Sequence, residues 1–482
     1  MNEGRTRRDP QAHHPGEEEG KGPETDIGTL LIVTSDFPPL AGTNTQRVQS
    51  FVRHLPDFGW RCRVITRAVE DMGWIDSGEL AHLPPDLAIE RVPSPDPFAV
   101  RRRRLGARPY DIHAAGEAEW TPSREEAGQG AGIAERARKA VSQWLHDGLD
   151  YGWYVPDSSR PWADAAARRG VRIAGEGGAD VLLTSCPSYS SHVAGLKIKR
   201  RTGLPWVADF RDLWVERPGR RVRSRWHAFR DRHLEAVVLR EADRVVVTSP
   251  AWQEALCRQH GEWLREKMAW IPNGYDPSKD SGMPRAGDRD RYVLRLVYTG
   301  AMDASVSPLP LIEALGRLKE RHPHLMGRFQ VRLVGYAGHE LSRLESAIAG
   351  HGLEPYVELL GTQSHERCLR EQAEADVLLL FSAPCHRDTI TGKSFEYMRS
   401  GRPILAMIPR SGAQAQILRA ANTAWILDYS DVDGAMRTLE RLARGPGAPR
   451  VEPRWDYIRQ FDRHALAGTL AGVLAALPAG RA

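Results

Sequence analysis

Asp388, Thr391, Gly392, Lys393, Ser394 and Glu396 fall in one short stretch whose residue types suit an anionic ligand. A loop gives way there to a helix of about two turns, which stops at Ser400 and Gly401 with Pro403 beyond. Thr391 and Gly392 stand where the unpaired N–H groups of a helix start point outward, and the partial positive charge of that end favours phosphate. Lys393 adds a full charge at the same place. Glu396, one turn further in, is placed to accept from both hydroxyls of a ribose. Phosphate at the helix start and ribose alongside make a nucleoside diphosphate. The same residues also read as plain helix chemistry, with Thr391 as N-cap, Lys393 solvated and Glu396 in a capping arrangement.

The elements that must hold this stretch alternate strand and helix. Residues 29–34 form a continuous apolar run, followed by a Pro-rich loop containing Gly42 and a helical pattern through Val48, Phe51, Val52 and Leu55. With a second strand at 62–66 this is a β-α-β opening of the kind that builds parallel sheets. Further buried strands are expected at 181–184, 206–209 and 244–248. A polar stretch at 275–290 follows Asn273 and Gly274, and a second series then begins, with strands at 294–298, 329–334, 357–360, 377–381, 403–407 and 424–427. Intervening helices are expected at 310–321, 339–350 and 366–373. The fold class is α/β, with two Rossmann-like units of mostly parallel sheet. The expected divisions are a disordered tail at 1–26, an N-terminal acceptor unit at 27–274, a donor unit at 275–450 and a closing segment at 451–482, whose helix at 463–477 could pack on either unit. Residues 95–143 read as an insertion or irregular excursion, and Trp144, Trp153 and Trp162 as core aromatics. Ligands of open α/β sheets bind beyond the strands' carboxyl ends, so two facing sheets create one cleft, which suits joining two substrates.

Composition narrows the function classes. The chain has 482 residues and a net charge of +5 from 67 basic and 62 acidic side chains, so bulk attraction to nucleic acid is not implied. Five scattered cysteines without a CxxC pair fit neither a disulfide framework nor a thiolate zinc site. No apolar run of about eighteen residues spans a membrane, and a cytoplasmic location is expected. Arg217, Arg220, Arg221, Arg223, Arg225, Arg230 and Arg232, interleaved with Val222, Trp226 and Phe229, form the most basic patch. It reads either as a solvated helix face or as a peripheral contact with anionic lipid. Nucleic acid is not expected as its partner, because no stacking platform accompanies it.

Thr391-Gly392-Lys393-Ser394-Phe395-Glu396-Tyr397-Met398 and Ser400-Gly401-Arg402-Pro403-Ile404 resemble the donor-site motif of family-4 retaining glycosyltransferases of GT-B fold. Phe37-Pro38-Pro39 with Gly42, Gln46-Arg47-Val48, Leu204 through Trp214, and Ile271-Pro272-Asn273-Gly274-Tyr275-Asp276 are similar to other parts of that family, so the resemblance runs from Leu30 to about Leu477. It implies a GT-B fold, two Rossmann-like units facing across a cleft. In the family two acidic residues, usually glutamates with seven residues between them, flank the donor; Asp388 and Glu396 have that spacing, with Asp a departure. Many members place an Arg and a Lys after the first strand of the second unit. Here Gly300 is followed by Ala301-Met302-Asp303-Ala304-Ser305, and both charges are missing, which leaves either Lys393 with more of the phosphate or Arg47 or Arg387 to help from loops across the cleft.

The resemblance implies transfer of a sugar from a nucleotide-diphosphate donor to a saccharide or lipid-linked acceptor, with retention, in surface polysaccharide or glycoconjugate biosynthesis. The nucleotide sugar is a co-substrate and no cofactor is expected. His192 resembles a family histidine that hydrogen-bonds the transferred sugar, and alternatively caps its own helix start. Asp209 either orients substrate hydroxyls or forms a structural ion-pair turn with Arg211 and Asp212. Asp288-Arg289-Asp290 and Asp431-Val432-Asp433 match the Asp-x-Asp pattern of metal-dependent transferases, but neither follows a strand in the required setting, so metal independence is expected. A sugar-nucleotide epimerase of the same fold and a catalytically silent nucleotide-sugar-binding protein are the competing readings.

Overall fold

The computed structural model describes residues 27–40, 45–72, 74–104, 110–111, 154–217, 220, 224–277, 292–445 and 451–478. The expected tail at 1–26, Gly42, Trp144, Trp153, the Asp288 to Asp290 motif and most of 95–143 lie outside them, as do Arg221, Val222 and Arg223 of the basic patch.

In chain order the strands of the first half are β1 (Gly28–Val33), β2 (Trp60–Arg67), β3 (Trp74–Ile75), β4 (Ala88–Val92), β5 (Tyr110–Asp111), β6 (Val181–Ser185), β7 (Trp206–Phe210), β8 (Arg244–Val247) and β9 (Met268–Trp270). Seven of them form one sheet in the order β4-β2-β1-β6-β7-β8-β9, every pairing parallel. The second half carries β10 (Leu294–Thr299), β11 (Phe329–Val334), β12 (Val357–Leu359), β13 (Val377–Phe381), β14 (Ile404–Met407) and β15 (Ala424–Leu427), again wholly parallel, in the order β12-β11-β10-β13-β14-β15. Parallel sheets are covered on both faces, which is why β13 reads as an unbroken apolar run, β6 and β7 as mainly apolar ones, and all three are buried throughout.

Strands lacking that signature were not legible. The edge strand β4 places Glu90 and Arg91 in its middle, and β3 pairs with β5 as a two-residue parallel ladder. The excursion expected to be irregular begins with a helix, Pro97–Arg104, that carries the basic run. Trp162 is fully buried in the core around β1, β6 and β7.

The closing helix, Arg463–Ala475, runs back onto the first sheet. Its Leu466, Leu470 and Leu474 recur every four residues and join Leu30, Val48, Phe51 and Val207 in one buried cluster. Two backbone hydrogen bonds fix the crossing, from Tyr275 N to Phe461 O at 3.0 Å and from Arg463 N to Tyr275 O at 2.9 Å. Gly274 (φ +66°) makes the approach feasible, since a Cβ there would lie 2.6 Å from Phe461 O. Among the described residues no helix is long and apolar enough to cross a membrane.

Candidate functional site

Beyond β13 the chain turns and starts the helix Gly392–Ser400, which ends on Gly401 in the left-handed region (φ +67°). Thr391 occupies the N-cap position but its side chain caps nothing. Its hydroxyl accepts from Gln414 Nε2 at 3.1 Å and lies 3.3 Å from Ser394 Oγ. Glu396 takes no part in capping either, accepting instead from Gln372 Nε2 at 3.3 Å. The helix start is thus left without a side-chain cap, as an anion site requires.

A pocket opens onto that helix start, lined by Thr391, Gly392, Lys393 and Glu396 from the second half and by Gln46, Arg47 and Arg211 from the first. Arg463 of the closing helix completes the lining from a third direction. Lys393 lies against Tyr298, with Nζ 3.4 Å from its hydroxyl and 5.1 Å from its ring centre. The tyrosine hydroxyl donates to Ala301 O at 2.7 Å, and burial raises its pKa, so it stays a neutral platform. No carboxylate among the described residues pairs with Lys393. Gly300 (φ +134°) forms the floor under its side chain. Glu396 is steadied through Gln372, whose amide also donates to Thr299 Oγ1 at 2.9 Å, while Tyr397 OH accepts from Thr299 N at 3.0 Å.

Several expected members stand elsewhere. Ser394 is fully buried beneath the helix and accepts from Gln414 Nε2 at 2.8 Å, so it supports the helix start from inside. Asp388 is exposed and outside the lining. Arg47 lines the pocket, but its guanidinium is committed: Nη2 and Nε each reach Asp209 at 2.9 Å, and Nη1 donates to Pro272 O at 2.8 Å. Asp209 therefore pairs with Arg47, not within the expected turn with Arg211 and Asp212, and also accepts from Ser185 Oγ at 2.7 Å. Strand alternation explains it. Asp209 shares the face of β7 with Val207, which the helices Gln46–His54 and Arg463–Ala475 cover, whereas Trp206, Ala208 and Phe210 face the other core.

His192 does not face the cleft. It is fully buried, stacked on Phe210 with ring centres 4.6 Å apart, and Nδ1 shares a hydrogen bond with Thr184 Oγ1 at 2.8 Å. Burial pushes its pKa down to about 3 against the opposing pull of Asp209, so the ring is neutral. Asp431 and Asp433 serve locally, the first capping a helix at Gly434 N (2.8 Å) and the second pairing with Arg317 at 2.9 Å.

Sequence reasoning missed Gln372 and Arg463. Neither lies in a motif, and each reaches the site only through the packing of its helix: Gln372 lies 24 positions from Glu396, and Arg463 lies 417 from Gln46, to whose Oε1 it donates at 2.9 Å.

With this geometry in place, residues 102–279 match the model of Glycosyltransferase Family 4 and residues 294–444 that of Glycosyl transferases group 1. A D-inositol 3-phosphate glycosyltransferase from Geodermatophilus obscurus is 27% identical over 253 residues, 49% of this chain. The chain spans only about half the length of that curated relative, 54%. Among solved structures, sucrose-phosphate synthase from Thermosynechococcus elongatus is 17% identical with a TM-score of 0.60, over 93% of this chain and 98% of that one. Anabaena HepE in complex with UDP is 15% identical with a TM-score of 0.57, over 93% and 100%. At such identities these structures establish a shared two-sheet fold.

Proposed function

Because the chain is a family-4-like glycosyltransferase of GT-B fold, we propose that it transfers a sugar from a nucleoside-diphosphate donor, bound at the start of the helix Gly392–Ser400, to a saccharide or lipid-linked acceptor. The observation that carries this reading is Lys393: an ammonium without a carboxylate partner among the described residues, held in a pocket at an uncapped helix start beside Glu396. UDP and UDP-glucose, which the Anabaena structures contain, are donor chemistry of the kind that such a pocket would take.

In the proposed reaction the anomeric C–O bond to the diphosphate breaks, and the acceptor hydroxyl forms the new glycosidic bond on the face the leaving group vacates, retaining configuration. Its proton passes to the departing phosphate. The protein then has charge and position to supply rather than a general base, through Lys393, the N–H groups after Thr391, and Glu396 on the ribose. No metal or cofactor has a part in this scheme. Trp226 and Phe229 are exposed on the helix Arg225–Glu241 beside Arg230, which supports a peripheral contact with anionic lipid on the membrane's cytoplasmic face.

A second reading, a nucleotide-sugar-binding protein without turnover, is favoured by the loop after Gly300. That loop carries no basic residue through Ser307, and its one charged side chain, Asp303, accepts from Ser305 N at 2.7 Å. Calorimetry with nucleoside diphosphates tests both readings, since absence of any binding sinks the donor site altogether. If a diphosphate binds, product analysis with the matching nucleotide sugar and a lipid-linked saccharide separates enzyme from binder.

A further inference from the structure

Arg463 sits in the first turn of the closing helix, is buried to 7% exposure and lines the same pocket as Lys393 and Glu396. Among the described residues its guanidinium bonds only to neutral groups, Gln46 Oε1 at 2.9 Å and Asn273 O at 3.4 Å. No carboxylate of the described residues pairs with it; Glu396, Asp276 and Glu79 act on it through space alone. A guanidinium held out of water without a directly paired counter-charge is costly, because it stays protonated wherever it is placed. Arg47, in the same pocket, differs in that Asp209 cancels its charge.

We propose that Arg463 binds the donor's diphosphate, an assignment that rests on the nucleotide-sugar reading of this pocket. The planar fork of a guanidinium matches phosphate oxygens, and an anion between Arg463 and Lys393 gives the buried charge the partner it lacks. The assignment also accounts for the loop after Gly300, which has no basic residue through Ser307. The second positive charge of the site comes instead from a helix at the far end of the chain. Since that helix packs on the first sheet while Lys393 belongs to the second half, the diphosphate is gripped from both sides of the cleft.

The alternative is a structural brace between Gln46 and Asn273. Calorimetry on the full chain distinguishes the two. UDP, GDP, ADP and dTDP are compared first, and the tightest is then titrated, along with its monophosphate, into wild type, Lys393→Ala, Arg463→Gln and Arg463→Lys. Arg463→Gln is expected to weaken the diphosphate by about ten- to a hundredfold and the monophosphate less, with Arg463→Lys losing about tenfold because the fork is gone. If Arg463→Gln does not fold, the lysine variant carries the test. Wild-type affinity in both Arg463 variants, or equal losses for mono- and diphosphate in them, would overturn the assignment, while a loss in Lys393→Ala alone leaves Lys393 and the donor site standing. Wild type binding none of the four diphosphates would overturn the donor reading itself, and this proposal with it.

Discussion

A Cβ on Gly300 would lie 1.9 Å from both Cε and Nζ of Lys393, so the end of β10 and the start of the helix Gly392–Ser400 meet at a residue without a side chain. Gly300 also has φ +134°, a conformation that other residues rarely adopt. It determines where the ammonium rests.

Gly300→Ala is therefore expected to act through Lys393. Nucleoside-diphosphate affinity and turnover should fall toward those of Lys393→Ala, which is expected to lose about 10²- to 10³-fold in turnover. The double variant should be little worse than either single one, because both remove the same contact. Additive losses in such a cycle would show that Gly300 does not act by seating the lysine.

Glu396→Gln tests the ribose contact. The affinity of the ribonucleoside diphosphate should fall about tenfold, while that of the 2′,3′-dideoxy analogue, which lacks both hydroxyls, changes little. Gln372→Ala should reproduce part of the loss, since it removes the amide that holds the carboxylate. Equal losses for both nucleotides would move the ribose elsewhere.

The Arg47 and Asp209 pair should behave as a buried ion pair. Breaking it with Asp209→Ala is expected to cost about 3–5 kcal/mol in chemical denaturation, because a desolvated guanidinium is left behind. Arg47→Met combined with Asp209→Leu should recover much of that. A merely additive double variant would count against the pair as an isolated structural unit.

His192 predicts a pH dependence of stability, not of catalysis. Its folded pKa, about 3, lies below the usual histidine value of 6.5. The unfolded chain therefore binds the proton first, and the contribution is complete above pH 6.5 and lost as pH falls from there toward 3. Urea unfolding of wild type across that window should show a loss on the order of a few kcal/mol, and His192→Leu should flatten the slope. An identical slope in the variant would show the acid sensitivity to come from other groups.

Local chemistry was legible where one segment carries its own reason. Apolar or mainly apolar segments covered on both faces announced β1, β6, β7 and β13, and the order loop, Thr391, Gly392, Lys393, Glu396, Gly401 announced a helix whose start suits phosphate. Edge strands such as β4 were not legible, because half of their surface meets water and their pattern is mixed. The two-residue ladder of β3 and β5 is too short to have a pattern at all.

What the sequence by itself determined was thus the strand and helix alternation, the two parallel sheets and the motif at the helix start, since each depends on neighbours within a few residues. The tertiary structure decided which of the named side chains reach the ligand. Asp209 went to Arg47, His192 and Ser394 went into the interior, and Arg463 entered the pocket. Those outcomes depend on which face of a strand a residue occupies and on where a helix crosses from one sheet to the other. Such contacts join positions as far apart as Gln46 and Arg463, and no local spacing encodes them.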